Sequence, residues 1–290
     1  AFTLFLMINP QIYLNIDIFL ETLIGPNENT TGSKRGIILT VMSIASFFSP
    51  IAMSYIVGPE NNLANVYFVA AGVGLIFITI IIARFRHFYD PPYIVEKFRD
   101  TLKFSIKKTD IKIVLYAQFL LQFFFTWAVI YFPLYLATEI GLDWSEIGKI
   151  IAAGLFAYVI FEYPTGRLAD EKIGEKELMA LGFVILAISS ACISFMTTTD
   201  ILFWMILIFI SRIGASLVEI TTESYFFKQV NGDNSTLISH FRLMRPIANL
   251  LGALAGSITL MLLPFNLIFV VLGFILVTGV FATIKLTDTK

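Results

Sequence analysis

Charged residues are scarce in this chain. Only 14% of its 290 residues are Asp, Glu, Lys or Arg, whereas 57% are hydrophobic, and the mean hydropathy is +0.83. A soluble domain carries about 25% charged residues. The composition therefore excludes an ordinary soluble domain and indicates a protein embedded in a lipid bilayer, with no nucleic acid among its partners.

Residues that bind metals or act as nucleophiles are also few. Cys192 is the single cysteine, which excludes a disulfide framework or a zinc cluster. His87 and His240 lie in separate polar segments, and neither an HExxH motif nor a phosphate-cradling loop occurs. The sequence thus predicts no catalytic residue, no metal site and no cofactor, and a membrane-embedded enzyme is a distant alternative.

Long apolar runs make up most of what is present. Runs of about 20 residues can cross a ~30 Å hydrocarbon core as helices, and helices are required because lipid offers the backbone no hydrogen-bond partners. Nine such runs comprise residues 1–22, 37–57, 63–83, 112–137, 147–166, 178–197, 201–227, 246–263 and 266–284. We therefore expect an all-α, polytopic membrane helix bundle with nine transmembrane helices.

Basic residues gather in alternate connections between these runs. All 20 Lys and Arg residues except Lys149 and Arg212 lie there. Because positive charge stays on the cytoplasmic side of a membrane, this pattern predicts an integral protein of the bacterial plasma (inner) membrane with a cytoplasmic C-terminus. It also places the start of the first run outside, so we expect an odd number of spans to precede it.

The longest connection, residues 84–111, has an amphipathic pattern. Apolar residues recur there at i+4, at Ile94, Phe98, Leu102 and Ile106. This pattern predicts an interfacial helix in a linker at 85–111, between a helix bundle at 1–84 and a six-helix bundle at 112–290. A solvated basic loop is the alternative.

A charged turn, FEYPTGRLADEKIGEKEL at 161–178, separates two apolar runs. Its pattern resembles the glycine-x-leucine-x-aspartate and glycine-basic loop of the major facilitator superfamily of transporters. The residues that carry the resemblance are Gly166, Leu168, Ala169, Asp170, Gly174 and Lys176. One extra residue separates Asp170 from Gly174, and Glu175 stands where a basic residue is usual. In that family the loop follows the second or the eighth membrane helix, which here implies helices 4 to 12 of a twelve-helix transporter.

A pair of acids repeats along the chain. Asp17 and Glu21 end the first run, and Glu219 and Glu223 end the seventh, each 202 residues after its counterpart. This is the half-length expected of a transporter built from two parallel six-helix repeats.

The resemblance also implies a gate beside the charged turn. Asp170 is expected to face a helix start near Gly36, close to Arg35, because a carboxylate is stabilised at a helix N-terminus. Glu223 is expected to join Arg167. The complete gating set comprises Gly166, Arg167, Asp170, Gly174, Lys176, Glu223 and Arg35.

Arg212 is the main candidate for binding a solute or a proton partner. A charge at mid-bilayer is costly and should face the interior, and Ser216 and Glu219 follow on the same helix face. A structural Arg212–Glu219 pair is the alternative. For proton coupling we place Glu219 first and Asp17 second.

Two polar stripes complete the candidates. Gln118, Gln122 and Thr126 recur at i+4 and would either hydrogen-bond a solute or join helices. Asn249 begins a stripe of small residues with Gly252 and Gly256, for which close helix packing is favoured over ligand contact.

These features predict a secondary active transporter of the facilitator type that moves a small-molecule substrate by alternating access. We expect a monomer in the lipid bilayer that is coupled to protons and exports amphipathic compounds. The alternatives are a solute importer of the same fold and a non-transporting membrane scaffold or sensor.

Overall fold

The structure is a computed structural model that describes residues 17, 30–57, 63–85, 108–230 and 235–287. Those residues contain no β-strand. Eight α-helices are present: α1 (Thr31–Val57), α2 (Leu63–Phe85), α3 (Thr109–Tyr135), α4 (Trp144–Leu168), α5 (Glu175–Ile193), α6 (Ile201–Gln229), α7 (Ser235–Leu262) and α8 (Ile268–Thr283). Helices α3 and α4 each continue into a π-helical turn, Leu136–Ile140 and Ala169–Ile173. The all-α prediction is confirmed.

Seven helical spans in the described residues are long and apolar enough to cross a membrane. The predicted number of nine is not confirmed, because residues 1–22 lie outside the described residues and α1, which contains 37–57, is not among the seven. The amphipathic linker prediction falls mostly on 86–107, also outside them.

Two helix starts were predicted wrongly, and one of them is that of α1, which begins at Thr31, six residues before the predicted start at 37. Helix α7 begins at Ser235, eleven residues before the predicted start at 246. The apolar run is shorter than the helix, because the first turns of α7 project polar side chains such as Arg242 into contacts with other helices.

Aromatic side chains form the centre of the packing between α3, α6 and α8. The rings of Phe132, Tyr135, Trp204 and Phe269 are buried and meet mostly edge to face, with centroids 5.2 to 6.5 Å apart. Aromatic pairs of this geometry add about 0.5–1.5 kcal/mol beyond the area that they bury. Helix α7 packs on α3, and α1 lies against α4 and α6.

The crossing of α1 and α4 brings two backbones into contact. A methyl group on Gly32 would lie 2.6 Å from the carbonyl oxygen of Gly166, and one on Gly166 would collide with the carbonyl oxygen of Gly32. One turn along, a methyl group on Gly36 would lie 3.0 Å from the carbonyl oxygen of Glu162. This close approach brings the turn after α4 to the first turn of α1.

Candidate functional site

A cavity of about 620 Å³ lies between α1, α3, α4, α6 and α7. We call it the central cavity. Its polar lining consists of Ser43, Ser46, Gln122, Thr126, Tyr158, Arg212, Glu219, Arg245 and Asn249. Its apolar lining includes Phe125, Ile130, Ile151 and Leu155. The volume falls in the range of about 300–1,000 Å³ that is usual for small-molecule sites.

Helix α6 contributes two of the three charged residues that line this cavity. Arg212 and Glu219 both line it, whereas Ser216 is fully buried and does not. The Arg212 guanidinium carbon lies 5.0 Å from the centre of the Phe124 ring. Within the described residues, Arg212 Nη1 is buried without a hydrogen-bond partner and Arg212 forms no ion pair. The alternative of a structural Arg212–Glu219 pair is therefore wrong for this conformation.

Helix α3 contributes two of its three predicted polar residues. Gln122 and Thr126 line the cavity, but Gln118 is buried away from it. The Thr126 hydroxyl lies 2.9 Å from Asn249 Oδ1 on α7 and 2.9 Å from the backbone oxygen of Gln122. The stripe thus both faces the cavity and joins two helices.

The small residues of α7 pack against aromatic and small side chains of α3. A methyl group on Gly256 would collide with the Tyr131 ring, and one on Gly252 would lie 3.1 Å from Thr126 Cβ. Trp127 Nε1 donates a hydrogen bond of 2.8 Å to the carbonyl oxygen of Gly252. Close packing is therefore present at the two glycines, while Asn249 faces the cavity.

A buried acid on α4 lies next to the cavity. Glu162 is 1% exposed, and the Ser43 hydroxyl donates a hydrogen bond of 3.0 Å to its Oε1. Its Oε2 has no partner in the described part of the chain. Glu219 lies near enough for the two carboxyl groups to interact electrostatically.

Four charged residues from different parts of the chain form a second group, which we call the charge quartet: Asp17, Arg35, Glu223 and Arg242. Arg242 Nε and Nη2 donate to Asp17 at 2.5 and 2.8 Å, and Arg242 Nη1 and Nη2 donate to Glu223 at 2.5 and 3.0 Å. Arg35 Nη1 donates to Asp17 at 3.0 Å and lies 3.7 Å from Glu223. Two arginines therefore hold two buried carboxylates.

The charge quartet corrects two expectations. Glu223 pairs with Arg242 rather than Arg167, because Arg167 is exposed on the outer side of α4 and bonds to Glu171 at 2.7 Å. Asp17, the second candidate for proton coupling, belongs to this quartet and is not among the residues that line the central cavity. Asp17 and Arg35 are 18 residues apart and Glu223 and Arg242 are 19 apart, so the acid and the arginine have nearly the same spacing twice.

A third group, the capping cluster, consists of Asp170, Glu175, Ser224 and Lys228. Asp170 accepts hydrogen bonds from the backbone amides of Gly32 and Ser33, at 3.1 and 2.6 Å. Lys228 Nζ lies 3.1 Å from Asp170 and also pairs with Glu175. Ser224 donates to Glu175 at 2.8 Å. A side chain from another helix thus caps the N-terminus of α1.

Asp170 faces the start of a helix, as expected, but the position of that start differs from the prediction. Helix α1 begins at Thr31, so Asp170 meets its first turn at Gly32 and Ser33 rather than near Gly36, and Arg35 belongs to the charge quartet. Glu175 is the buried partner of Lys228, whereas Lys176, the basic residue of the motif, is partly exposed.

Gly174 permits the sharp turn before α5. Its φ of 91° and ψ of 163° lie in a region that is essentially restricted to glycine. The turn places Glu175 at the start of α5, beneath Lys228.

Sequence reasoning missed several residues of these sites. Lys228 and Glu175 in the capping cluster and Tyr158, Arg245 and Ser43 at the cavity were not candidates. Each contributes through a contact with another helix. A helical spacing could have signalled two of them, because Arg245 lies four residues before Asn249 and Tyr158 lies four before Glu162. Across the described ranges, no group of three or more His, Cys, Asp and Glu side chains is placed to hold a metal ion.

The family model of the Major Facilitator Superfamily matches residues 114–290, which is more than half of the chain. The chain belongs to the major facilitator superfamily. This confirms the resemblance drawn from the loop at 166–176, which lies inside the matched range. Facilitator proteins are transporters, so the chain is an integral membrane protein of the transporter type, with a small-molecule substrate and a lipid bilayer as its surroundings. A search of curated proteins finds no match.

Proposed function

We propose that this facilitator protein moves a small solute by alternating access, with the central cavity as the solute site. The observation that carries the proposal is the cavity itself, which is lined by five helices and contains Arg212 and Glu219. Charged groups inside a membrane are costly and usually serve a function. Rigid-body movement of the helices would expose the cavity to each side in turn.

The charge quartet and the capping cluster close one end of the bundle, which we call the clustered end. Both groups join α1, or Asp17 before it, to α6, α7 and the turn after α4. Opening this end would separate Asp170 from the amides of α1 and Asp17 from Arg242. We place the clustered end on the cytoplasmic side of the membrane, because the basic residues gather there.

Glu219 is the proposed proton carrier. It lines the cavity, and Glu162 lies near it, so that a proton on one carboxyl group relieves the repulsion between the two. Asp17 suits this role less well, because it lies outside the cavity lining and Arg35 and Arg242 both donate hydrogen bonds to its carboxylate. We assign Asp17 to closure of the clustered end.

Export of an amphipathic compound agrees with the mixed lining of the cavity. Phe125, Ile130, Ile151 and Leu155 offer an apolar wall, and Gln122 and Asn249 offer amide groups. Such a combination binds a molecule with a polar end and an apolar body.

Cysteine labelling tests alternating access without a known substrate. The full-length protein carrying Cys192→Ser and Ser46→Cys would be treated with a membrane-impermeant maleimide in right-side-out and in inverted vesicles. Labelling of the cavity position from both sides is expected. Labelling from one side alone, under all conditions, would contradict alternating access.

The same assay tests proton coupling. A pH gradient across the vesicles should shift the ratio of labelling from the two sides. Glu219→Gln should abolish this shift, whereas Glu171→Gln, at an exposed position in the turn after α4, should retain it. A labelling ratio that does not change with the pH gradient in the parent protein would contradict proton coupling.

A further inference from the structure

We infer that the central cavity selects an organic anion, whose carboxylate or phosphate group binds the guanidinium of Arg212 and whose apolar body lies along α3 and α4. The inference rests on the proposed function, since it narrows the substrate class of that same cavity.

Within the described ranges, no acidic side chain forms an ion pair with Arg212. An arginine side chain remains charged under all ordinary conditions. A charge near mid-bilayer costs about 2.5–3.5 kcal/mol on scales derived from helix insertion into membranes, which give the lowest values. Phe124 covers one face of the guanidinium, which offsets part of this cost. Among the described residues, nothing accepts from its buried Nη1. A ligand oxyanion would satisfy both the charge and this donor.

The acids near the cavity do not remove the positive charge of Arg212. Glu219 interacts electrostatically with Arg245 and Arg242 of α7, and with Glu162 and Glu223. In the described part of the chain, Arg212 is not among the groups with which Glu219 interacts. A carboxyl group can also lose its charge by binding a proton, which an arginine cannot do. The Arg212 side of the cavity therefore stays positive in either protonation state of the acids.

The position of Arg212 is restricted by its neighbours. A methyl group on Gly154 of α4 would lie 3.1 Å from Arg212 Cγ and 2.8 Å from Ile208 Cγ2. The side chain therefore runs close along the backbone of α4, with its guanidinium over Phe124. A donor held in this way loses little freedom when it binds an oxyanion, and this preorganisation favours affinity.

The surroundings of Arg212 suit an anion with an apolar body. The rings of Phe125 and Tyr158 are 6.2 Å apart and both line the cavity, next to Ile151 and Leu155. A guanidinium beside such a wall matches an aryl or alkyl carboxylate, or the corresponding phosphate ester.

Matched probes test the charge requirement directly. The full-length protein in phosphatidylcholine nanodiscs would be titrated calorimetrically with 4-phenylbutyrate, its neutral analogue 4-phenylbutanamide, its cationic analogue 4-phenylbutylamine, and phenyl phosphate. At least one of the two anions should bind about tenfold or more tightly than the amide, because a charge-assisted pair with arginine is lost. The amine should bind most weakly. Comparing the affinities for 4-phenylbutyrate and phenyl phosphate shows whether the site prefers a carboxylate or a phosphate group.

Variants identify the residue responsible. Arg212→Gln should remove the preference for the anion over the amide, and Arg212→Lys should retain part of it. Lys149→Gln, which removes an exposed cation from α4, should leave all affinities unchanged. Should Arg212→Gln fail to fold, Gly154→Ala provides a second variant, since it displaces the guanidinium without removing its charge and should weaken anion binding severalfold.

Two outcomes would overturn the inference: equal affinity of the parent protein for anion and amide, or an unchanged preference for the anion in Arg212→Gln. With either result, alternating access is still supported if the Ser46→Cys position is labelled from both sides. Anion binding with labelling from one side alone would instead retain the anion site and reject transport.

Discussion

The central cavity and the clustered end use the same kinds of charged residue in opposite ways. In the charge quartet, Arg242 contacts two carboxylates through three nitrogens, and in the capping cluster Lys228 contacts Asp170 and Glu175. In the cavity, Arg212 lies over an aromatic ring with Nη1 unpartnered among the described residues. The difference indicates that paired charges hold helices together, whereas Arg212 is available to a ligand.

The largest difference in stability is expected when one arginine is removed from each region. Arg242→Gln leaves Asp17 and Glu223 buried beside Arg35 alone, and loss of one partner from a buried pair costs about 3 kcal/mol. Arg212→Gln removes a charge that has no counter-ion among the described residues, so the stability of this variant should equal or exceed that of the parent. Thermal unfolding in detergent measures both.

The exposed Arg167→Gln provides the control for that pair of variants. Its ion pair with Glu171 is largely solvent-exposed, so the free energy of unfolding should change by less than about 1 kcal/mol. A melting temperature that falls more for Arg212→Gln than for Arg242→Gln would contradict the conclusion that Arg242 stabilises the fold and Arg212 does not.

Substitution at the backbone contact between α1 and α4 should destabilise the protein nearly as much. Gly166→Ala forces α1 and α4 apart at Gly32, and overpacking of this kind costs about 1–3 kcal/mol. Gly148→Ala on the same helix meets nothing within 4 Å and should be neutral or slightly stabilising, since alanine favours helix. Equal melting temperatures for the two variants would show that the crossing tolerates separation.

A smaller effect is expected from the cap on α1. Asp170→Asn loses the charge that faces Lys228 and the amides of Gly32 and Ser33, which is worth about 1 kcal/mol. The clustered end should then open more often, and labelling of Ser46→Cys from that side should quicken about fivefold. The neighbouring Glu171→Gln is the matched control, and identical labelling rates in the two variants would count against a gating role.

The smallest effect should come from the hydrogen bond that joins α3 to α7. Thr126→Val removes the contact with Asn249, and interhelical hydrogen bonds in membranes average about 0.6 kcal/mol. Thr138→Val is the control, because the Thr138 hydroxyl bonds only to the backbone of its own helix at Leu134. A loss above about 2 kcal/mol in Thr126→Val would mean that this contact does more than join the helices.

The candidate site was predictable where one helix carries it. Arg212 and Glu219 fall on one face of α6, so the helical period was enough to bring them together, and Gln122 and Thr126 followed in the same way on α3. Ser216 and Gln118 have the right spacing but are buried away from the cavity, because neighbouring helices cover part of each polar face. Periodicity gives a face and does not say which part of that face another helix covers.

Local patterns in the sequence were enough to establish the membrane setting, the helical class and the family. These depend on the lengths of apolar runs and on a short loop motif, which are properties of neighbouring residues. The pairing of charges, in contrast, depends on the packing of distant helices. Asp17 and Arg242 are separated by 225 residues, and Asp170 and Gly32 by 138. Such contacts arise from how helices cross, so no local spacing predicted that Arg242 would be held by two carboxylates while Arg212 would be left to face the cavity.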